Sequence, residues 1–158
     1  MTARIDSPPR TLYEQDYALW LKTTVEQLRS GRLAELDIEN LIEELEGMSR
    51  SDKRSLESLL IRLLEHLLKL AYWESERERN GNHWSAEITN FRYQISKLLA
   101  DSPSLKPYLE QIFEEAHAVA RRSVSRSMKV NIDTLPENPI APIEQILDDN
   151  WLPVEKEL

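Results

Sequence analysis

The scarcity of helix-breaking residues constrains the fold of this chain more than any other feature. No proline occurs between Pro9 and Pro103, and the only glycines are Gly31, Gly47 and Gly81. Proline lacks a backbone N–H donor and glycine favours turns, so both residues tend to mark the ends of helices. We therefore expect long helices in this stretch, separated at the three glycines.

Apolar residues recur at helical spacing between these breaks. The pattern predicts a first helix from about Leu12 to Ser30. It predicts a short second helix that begins after Asp37, a good N-cap residue, and stops at Gly47. The remaining predicted helices are a third from Ser51 to about Arg79, a fourth from Trp84 to about Asp101, and a fifth from Ser102 or Ser104 to about Met128.

The third predicted helix is the most apolar of the set. Its leucines and single isoleucine cover more than half of the helix circumference, which is typical of a helix packed on several sides. We therefore expect it at the centre of the fold. These residues are Leu56, Leu59, Leu60, Ile61, Leu63, Leu64, Leu67, Leu68 and Leu70.

The chain beyond Asn131 differs, because it contains four prolines. It should run extended over the helices, with at most a short helix at Ile143–Leu147. No segment has the alternation typical of a strand. The sequence thus predicts an all-α, antiparallel helical bundle of about five helices with an extended Pro-containing C-terminal tail. The expected organisation is a disordered N-terminal segment (residues 1–10), the bundle (11–130) and a tail packed on it (131–158).

Charge and composition limit the classes of molecule that the protein could bind. The 158 residues include 28 Asp and Glu against 20 Lys and Arg, for a net charge of -8 and a pI near 5.0. This balance opposes binding to nucleic acid and to anionic membranes. The chain has no cysteine, no 18-residue apolar run and no signal sequence at its N-terminus. We expect a soluble, cytoplasmic, acidic protein whose partner, if it has one, is another protein.

A row of carboxylates is the best candidate for chemistry. Glu39, Glu43 and Glu46 lie at i, i+4 and i+7 of the second predicted helix, beside its apolar stripe. Like charges at this spacing weaken a helix, so a cation should face them. One interpretation is a solvated face or pairing with Arg or Lys, for which Arg62, Lys69 and Arg92 are candidates. The other is a bound divalent metal, which carboxylate oxygens suit.

His66 lies at the border of the apolar arc of the third predicted helix. It is either a hydrogen-bonded packing residue or, through a neutral ring nitrogen, a metal ligand. With Glu43 and Glu46 it would supply two oxygens and one nitrogen, leaving positions for water as in a hydrolytic metal site. The metal hypothesis therefore rests on these three residues.

Other catalytic motifs are incomplete or missing. Glu114 and His117 form one Glu-x-x-His pair, but a di-iron bundle needs two and no second pair exists. The sequence contains no Gly-x-Ser-x-Gly, P-loop or dinucleotide-binding glycine motif. Two classes of function remain: a non-catalytic interaction or adaptor module, and a metal-dependent, hydrolase-type enzyme.

Four stretches in order also resemble a known family. They are Leu36-Asp-Ile-Glu-Asn-Leu-Ile-Glu-Glu-Leu-Glu46, His66-Leu-Leu-Lys69, Ser102-Pro-Ser-Leu105, and Gln145-Ile-Leu-Asp148 with Trp151-Leu-Pro153. From about Tyr13 to Pro153 the chain resembles the bacterial family catalogued as domain of unknown function 29, common in cyanobacteria. The resemblance implies an all-helical domain with no assigned activity. It also implies recurring polar positions at Asp37, Asn40, Glu43, Glu44, Glu46, His66, Lys69, Trp84 and Arg92, of which Asn40, Glu44, Lys69 and Arg92 form a candidate polar cluster.

Overall fold

The computed structural model describes residues 9–153, and the regular structure in this range is entirely helical. The predicted all-α class is therefore confirmed. Short 3₁₀ turns lie at Leu33–Glu35, Pro103–Leu105 and Ile132–Thr134. The α-helices are α1 (Leu12–Gln15), α2 (Tyr17–Arg29), α3 (Ile38–Tyr72), α4 (Glu74–Asp101), α5 (Lys106–Met128) and α6 (Ile143–Ile146).

The chain divides into two compact units, residues 1–49 and 50–158. The described part of the first unit contains α1, α2 and the first turns of α3. The second unit contains the rest of α3 and the helices that follow it. Of the N-terminal segment expected to be disordered, residues 1–8 lie outside the described residues, as do 154–158 at the end of the tail.

The first predicted helix is interrupted at Asp16, which separates α1 from α2. Two further predicted helix ends are wrong, because glycine does not interrupt the helix at either position. Helix α3 continues through Gly47, and α4 continues through Gly81. A glycine inside a helix costs only about 1 kcal/mol relative to alanine, which is too little to end a long helix by itself. Gly81 is buried, and a Cβ there would lie 3.8 Å from Leu70 Cδ1, so α3 and α4 approach each other closely at this point.

The break between α3 and α4 falls at Trp73, where the sequence contains neither glycine nor proline. Arg77 reaches back from α4 and donates from Nε to the Leu70 carbonyl and from Nη2 to the Ala71 carbonyl, each at 2.7 Å. The last carbonyls of a helix lack hydrogen-bond donors within the helix, and the Arg77 guanidinium provides donors for two of them. A contact between two elements therefore stabilises the end of α3.

Two other predicted ends are confirmed. Asp37 accepts a hydrogen bond from the Asn40 backbone N–H, as an N-cap residue does. At the end of α2, Gly31 has φ +70°, and the Arg32 N–H donates to the Gln27 carbonyl at 2.9 Å. This is a Schellman motif, which favours glycine because other residues adopt positive φ only at a cost.

The second unit has one continuous apolar core formed mainly by α3, α4 and α5. Leu63 and Leu67 are fully buried, so within this unit the predicted central role of the leucine-rich helix is confirmed. The rings of His66 and Phe91 meet at 5.2 Å, and Leu70 lies by Gly81. A later residue of α3 thus contacts an earlier residue of α4, which shows that the two helices are antiparallel.

The C-terminal residues contribute to the same core through Leu135 and Ile146. Helix α6 confirms the short helix predicted at Ile143–Leu147. Arg92 Nε donates to the Ile146 carbonyl at 2.8 Å, and Arg121 Nε donates to the Leu135 carbonyl at 3.1 Å. Side chains from α4 and α5 thus bind backbone groups of the proline-containing segment.

Candidate protein-interaction surface

The first unit has a small aromatic cluster at its centre. Trp20 and Thr24 on α2 are the buried side chains among residues 9–49. The Tyr13 ring packs edge-on against Trp20 at 4.8 Å, and the Tyr17 ring stacks on it at 6.1 Å. Most apolar side chains among residues 9–49 therefore lie outside this cluster.

Glu44 holds the helices of this unit together. One carboxylate oxygen accepts a hydrogen bond from the Tyr13 hydroxyl at 3.0 Å, and the other accepts one from the Tyr17 hydroxyl. Donation to Glu44 stabilises the neutral phenol and raises the pKa of both tyrosines above the usual value. The carboxylate therefore has a structural role, in which it fixes α1 and α2 against the start of α3.

Large apolar side chains are exposed mainly in this unit. Among the described residues, 14 large hydrophobic side chains are exposed, and 11 of them lie between residues 9 and 49. That segment is less than a third of the described chain. Single exposed apolar residues are ordinary, whereas a concentration of them indicates a surface that meets another molecule.

These side chains form two stripes at helical spacing. On α3, Ile38, Ile42, Leu45 and Met48 follow one another at steps of four, three and three residues, with exposed fractions of 50, 51, 58 and 54%. We call these four residues the α3 stripe. On α2 a second stripe comprises Tyr17, Leu21, Val25 and Leu28. Residues spaced by three or four share one helix face, so each stripe is continuous along its helix.

The residues proposed as metal ligands all lie on α3. His66 follows Glu46 by twenty residues on this helix, and both Glu43 and Glu46 have interaction partners in the fold. Among residues 9–153, no three His, Asp or Glu side chains are grouped so that they could hold a metal ion. Metal binding by Glu43, Glu46 and His66 stays a prediction that metal analysis of the purified protein tests.

His66 has the contacts of a packing residue. Its Nδ1 donates a hydrogen bond to the Arg62 carbonyl at 2.8 Å, and its ring lies edge-on to Phe91. The carbonyl can only accept, which fixes the proton of the neutral ring on Nδ1. Burial lowers the pKa of His66, although the bond to Arg62 opposes the shift.

Members of the candidate polar cluster have separate partners. The Asn40 side chain donates to Asp37 at 2.7 Å, and Glu44 accepts from the two tyrosines. Arg92 is buried and donates to Ile146. Lys69 is half-buried in the last turn of α3. Each described contact of Asn40, Glu44 and Arg92 is thus local to its own unit.

His117 and Arg121 are polar residues whose role sequence reasoning missed. His117 is 1% exposed, and its Nε2 donates to the Pro136 carbonyl at 3.1 Å. Arg121 binds the carbonyls of Leu135 and Ile132. Both lie on one face of α5 at a spacing of four. That shared face was the available signal, but their partners are backbone carbonyls, which carry no sequence signature.

The described residues therefore define an all-α protein with an exposed apolar surface on its first unit. None of the helices between residues 9 and 153 combines the length and apolar character needed to cross a bilayer. The chain belongs to the family described as domain of unknown function DUF29, which it matches over residues 12–152. The family predicted from the four sequence stretches is thereby confirmed. No curated protein and no solved structure matches the chain.

Proposed function

We propose that this protein is a non-catalytic interaction or adaptor module that binds another protein through the apolar residues of its first unit. The observation that carries the proposal is the α3 stripe, four large side chains each at least half exposed on one helix face. Exposing such residues to water is unfavourable, and burial against a partner recovers about 25 cal/mol per Å² of apolar surface.

The mode of binding that fits this surface is helix against helix or groove. Partners that recognise an amphipathic helix contact residues at i, i+3 or i+4, and i+7, which is the spacing of Ile38, Ile42 and Leu45. The acidic composition and lack of cysteine support a cytoplasmic protein partner over nucleic acid.

Site-specific crosslinking tests the proposal. A photoreactive benzophenone amino acid is placed at Ile42 in the full chain, expressed in its native host, and covalent adducts are identified by mass spectrometry. The matched control position is Tyr93, an exposed aromatic residue on α4 of the second unit. We expect one protein to be captured from Ile42 and not from Tyr93, and capture to be lost when Leu45→Glu is added.

Two results would contradict the proposal. The first is that the same set of proteins is captured at Ile42 and Tyr93. The second is that capture from Ile42 is unchanged by Leu45→Glu, since a specific contact with the α3 stripe requires that residue to be apolar.

A further inference from the structure

The α3 stripe is bordered by negative charge. Between residues 33 and 49 the chain contains six carboxylates and no Lys, Arg or His. Glu39, Glu43 and Glu46 each directly follow a residue of the stripe. This spacing places all three along one flank of the stripe. The α3 stripe is therefore an exposed apolar helix face with one acidic flank.

Some carboxylates in this stretch also have contacts within the fold. Glu44 accepts hydrogen bonds from the neutral hydroxyls of Tyr13 and Tyr17, and Glu43 and Glu46 have interaction partners. Across residues 9–49 the chain has nine acidic and four basic residues, an excess of five negative charges. Residues 9–49 therefore carry a net negative charge, and three of their carboxylates lie along the flank of the α3 stripe.

We infer that the partner of the α3 stripe is an amphipathic helix of another protein whose apolar face is flanked by lysine and arginine. This inference rests on the proposed function and adds the chemistry of the partner. Basic residues on its flanks would meet the acidic flank of α3, which speeds association and excludes acidic competitors.

Charge argues against the other occupants of this surface. A second copy of the chain would bring a second acidic row to the same interface, where like charges repel. An anionic lipid surface is opposed for the same reason. The acidic flank thus favours a cationic partner helix over both.

Three synthetic peptides separate apolar contact from charge. Two 18-residue helical peptides share the same leucine stripe, one with lysine flanks and one with glutamate flanks; the third is a scrambled lysine peptide without a stripe. Binding to the full chain is measured by fluorescence anisotropy at low and physiological salt. We expect the lysine stripe peptide to bind at least about tenfold more tightly than either of the others, a difference of about 1.4 kcal/mol. Added salt should weaken its binding.

Variants of the chain locate the binding site. The double substitution Ile42→Ser and Leu45→Ser should weaken binding of the lysine stripe peptide about tenfold or more. Glu39→Lys should weaken binding of the lysine stripe peptide several-fold and reduce the difference in affinity between the two stripe peptides. Tyr93→Ser, which removes an exposed aromatic residue of the second unit, should leave binding unchanged. Circular dichroism of each variant confirms that its helix content is retained.

The outcomes distinguish the charge of the partner from the existence of a binding surface. Equal binding of the lysine and glutamate stripe peptides, lost in the Ile42/Leu45 variant, would overturn the inference and leave the proposed function standing. Equal binding of the scrambled peptide would mean attraction by charge alone and would also overturn it. A concentration-dependent dimer in sedimentation, abolished by the Ile42/Leu45 variant, would identify a second copy as the occupant. No binding by any peptide would reject the inference, whereas the crosslinking result decides the proposed function separately.

Discussion

Buried polar side chains in the second unit mainly bind backbone carbonyls. Arg92 is 3% exposed and joins α4 to Ile146, a residue 54 positions later in the chain. Burial lowers the pKa of its guanidinium, while Asp149 and Asp148 oppose the shift. Arginine remains protonated in proteins, so a cation is held inside the fold at this contact. The resemblance implied a recurring polar position at Arg92, and in the structure this side chain links α4 to the backbone at Ile146.

Replacing Arg92 tests that role. Arg92→Leu removes a charge-assisted hydrogen bond and leaves the Ile146 carbonyl without its donor, so we expect a loss of about 2 kcal/mol in the free energy of unfolding. Arg79→Leu, at an exposed position of α4, is the control and should change little. Urea denaturation followed by circular dichroism measures both. Similar losses in the two variants would show that the Ile146 contact contributes nothing specific.

Two histidines should make stability depend on pH. Burial is the main cause that lowers the pKa of both His66 and His117 in the folded chain. The unfolded chain binds a proton to each near pH 6.5, whereas the folded chain does so only at lower pH. Above about pH 6.5 both histidines are neutral in both states, so they cause no change of the free energy of unfolding with pH. It should fall as the pH drops from there through the lowered folded pKa.

Denaturation between pH 5 and 8 measures this effect. His117→Gln should flatten the fall in stability below pH 6.5 by up to about 1.4 kcal/mol per pH unit, the limit for one proton. His83→Gln replaces an exposed histidine on α4 and controls for loss of an imidazole. A slope that is the same in His117→Gln and the parent chain would show that His117 is not the source.

Gly31 and Gly81 have different roles in the helices. Gly31 adopts φ +70° and ends α2, whereas Gly81 is helical and lies inside α4. The sequence cannot separate these two cases, because glycine is compatible with both. The end of α3 at Trp73 depends instead on Arg77, which reaches the last carbonyls from the next helix.

Alanine substitutions should have opposite effects at the two glycines. At Gly81 an added Cβ would meet its nearest neighbours at 3.5 and 3.8 Å, ordinary contact distances. Gly81→Ala should therefore raise the free energy of unfolding by about 0.5 to 1 kcal/mol, the gain in helix propensity. Gly31→Ala should lower it by about 1 kcal/mol, because alanine is strained at positive φ. Thermal and urea unfolding of both variants decide the matter; a loss at Gly81 would mean that α3 and α4 pack too closely there for a methyl group.

The two units differ in how much apolar surface they bury. The second unit has a continuous core of leucine, isoleucine and aromatic side chains, whereas Trp20 and Thr24 are the buried side chains among residues 9–49 of the first. Local stability follows the number of buried apolar contacts. The first unit should therefore open more easily than the second.

Native-state hydrogen exchange tests this difference. Amides of α2 should exchange at least about tenfold faster than those of α3 between Leu56 and Leu70, where the core leucines lie. Leu63→Ala is a useful second measurement, since the loss of a buried leucine costs about 2 to 5 kcal/mol and should speed exchange in the second unit. Equal protection in α2 and in the core of α3 would contradict the expected difference.

The sequence by itself determined those helix boundaries that depend only on residues near them in the chain. The Asp37 N-cap, the helix end at Gly31 and the short helix at Ile143 are all local, and each was predicted correctly. The tertiary structure alone decided which of several weak signals prevails. Gly47 and Gly81 look like helix ends, yet a cost of about 1 kcal/mol is too small to end a long helix by itself, and at Gly81 the packing of α4 against α3 offsets it.

The candidate surface shows the same division. Periodicity placed Ile38, Ile42 and Leu45 on one helix face, and such a face ordinarily packs inward. Whether it is buried depends on what other elements reach it, and in the described chain it is left exposed. Likewise, Arg92 and His117 bind carbonyls far along the sequence, and every residue carries a carbonyl. The sequence thus determined the helices and their faces, while the long-range packing of the chain decided which face meets the core and which stays exposed.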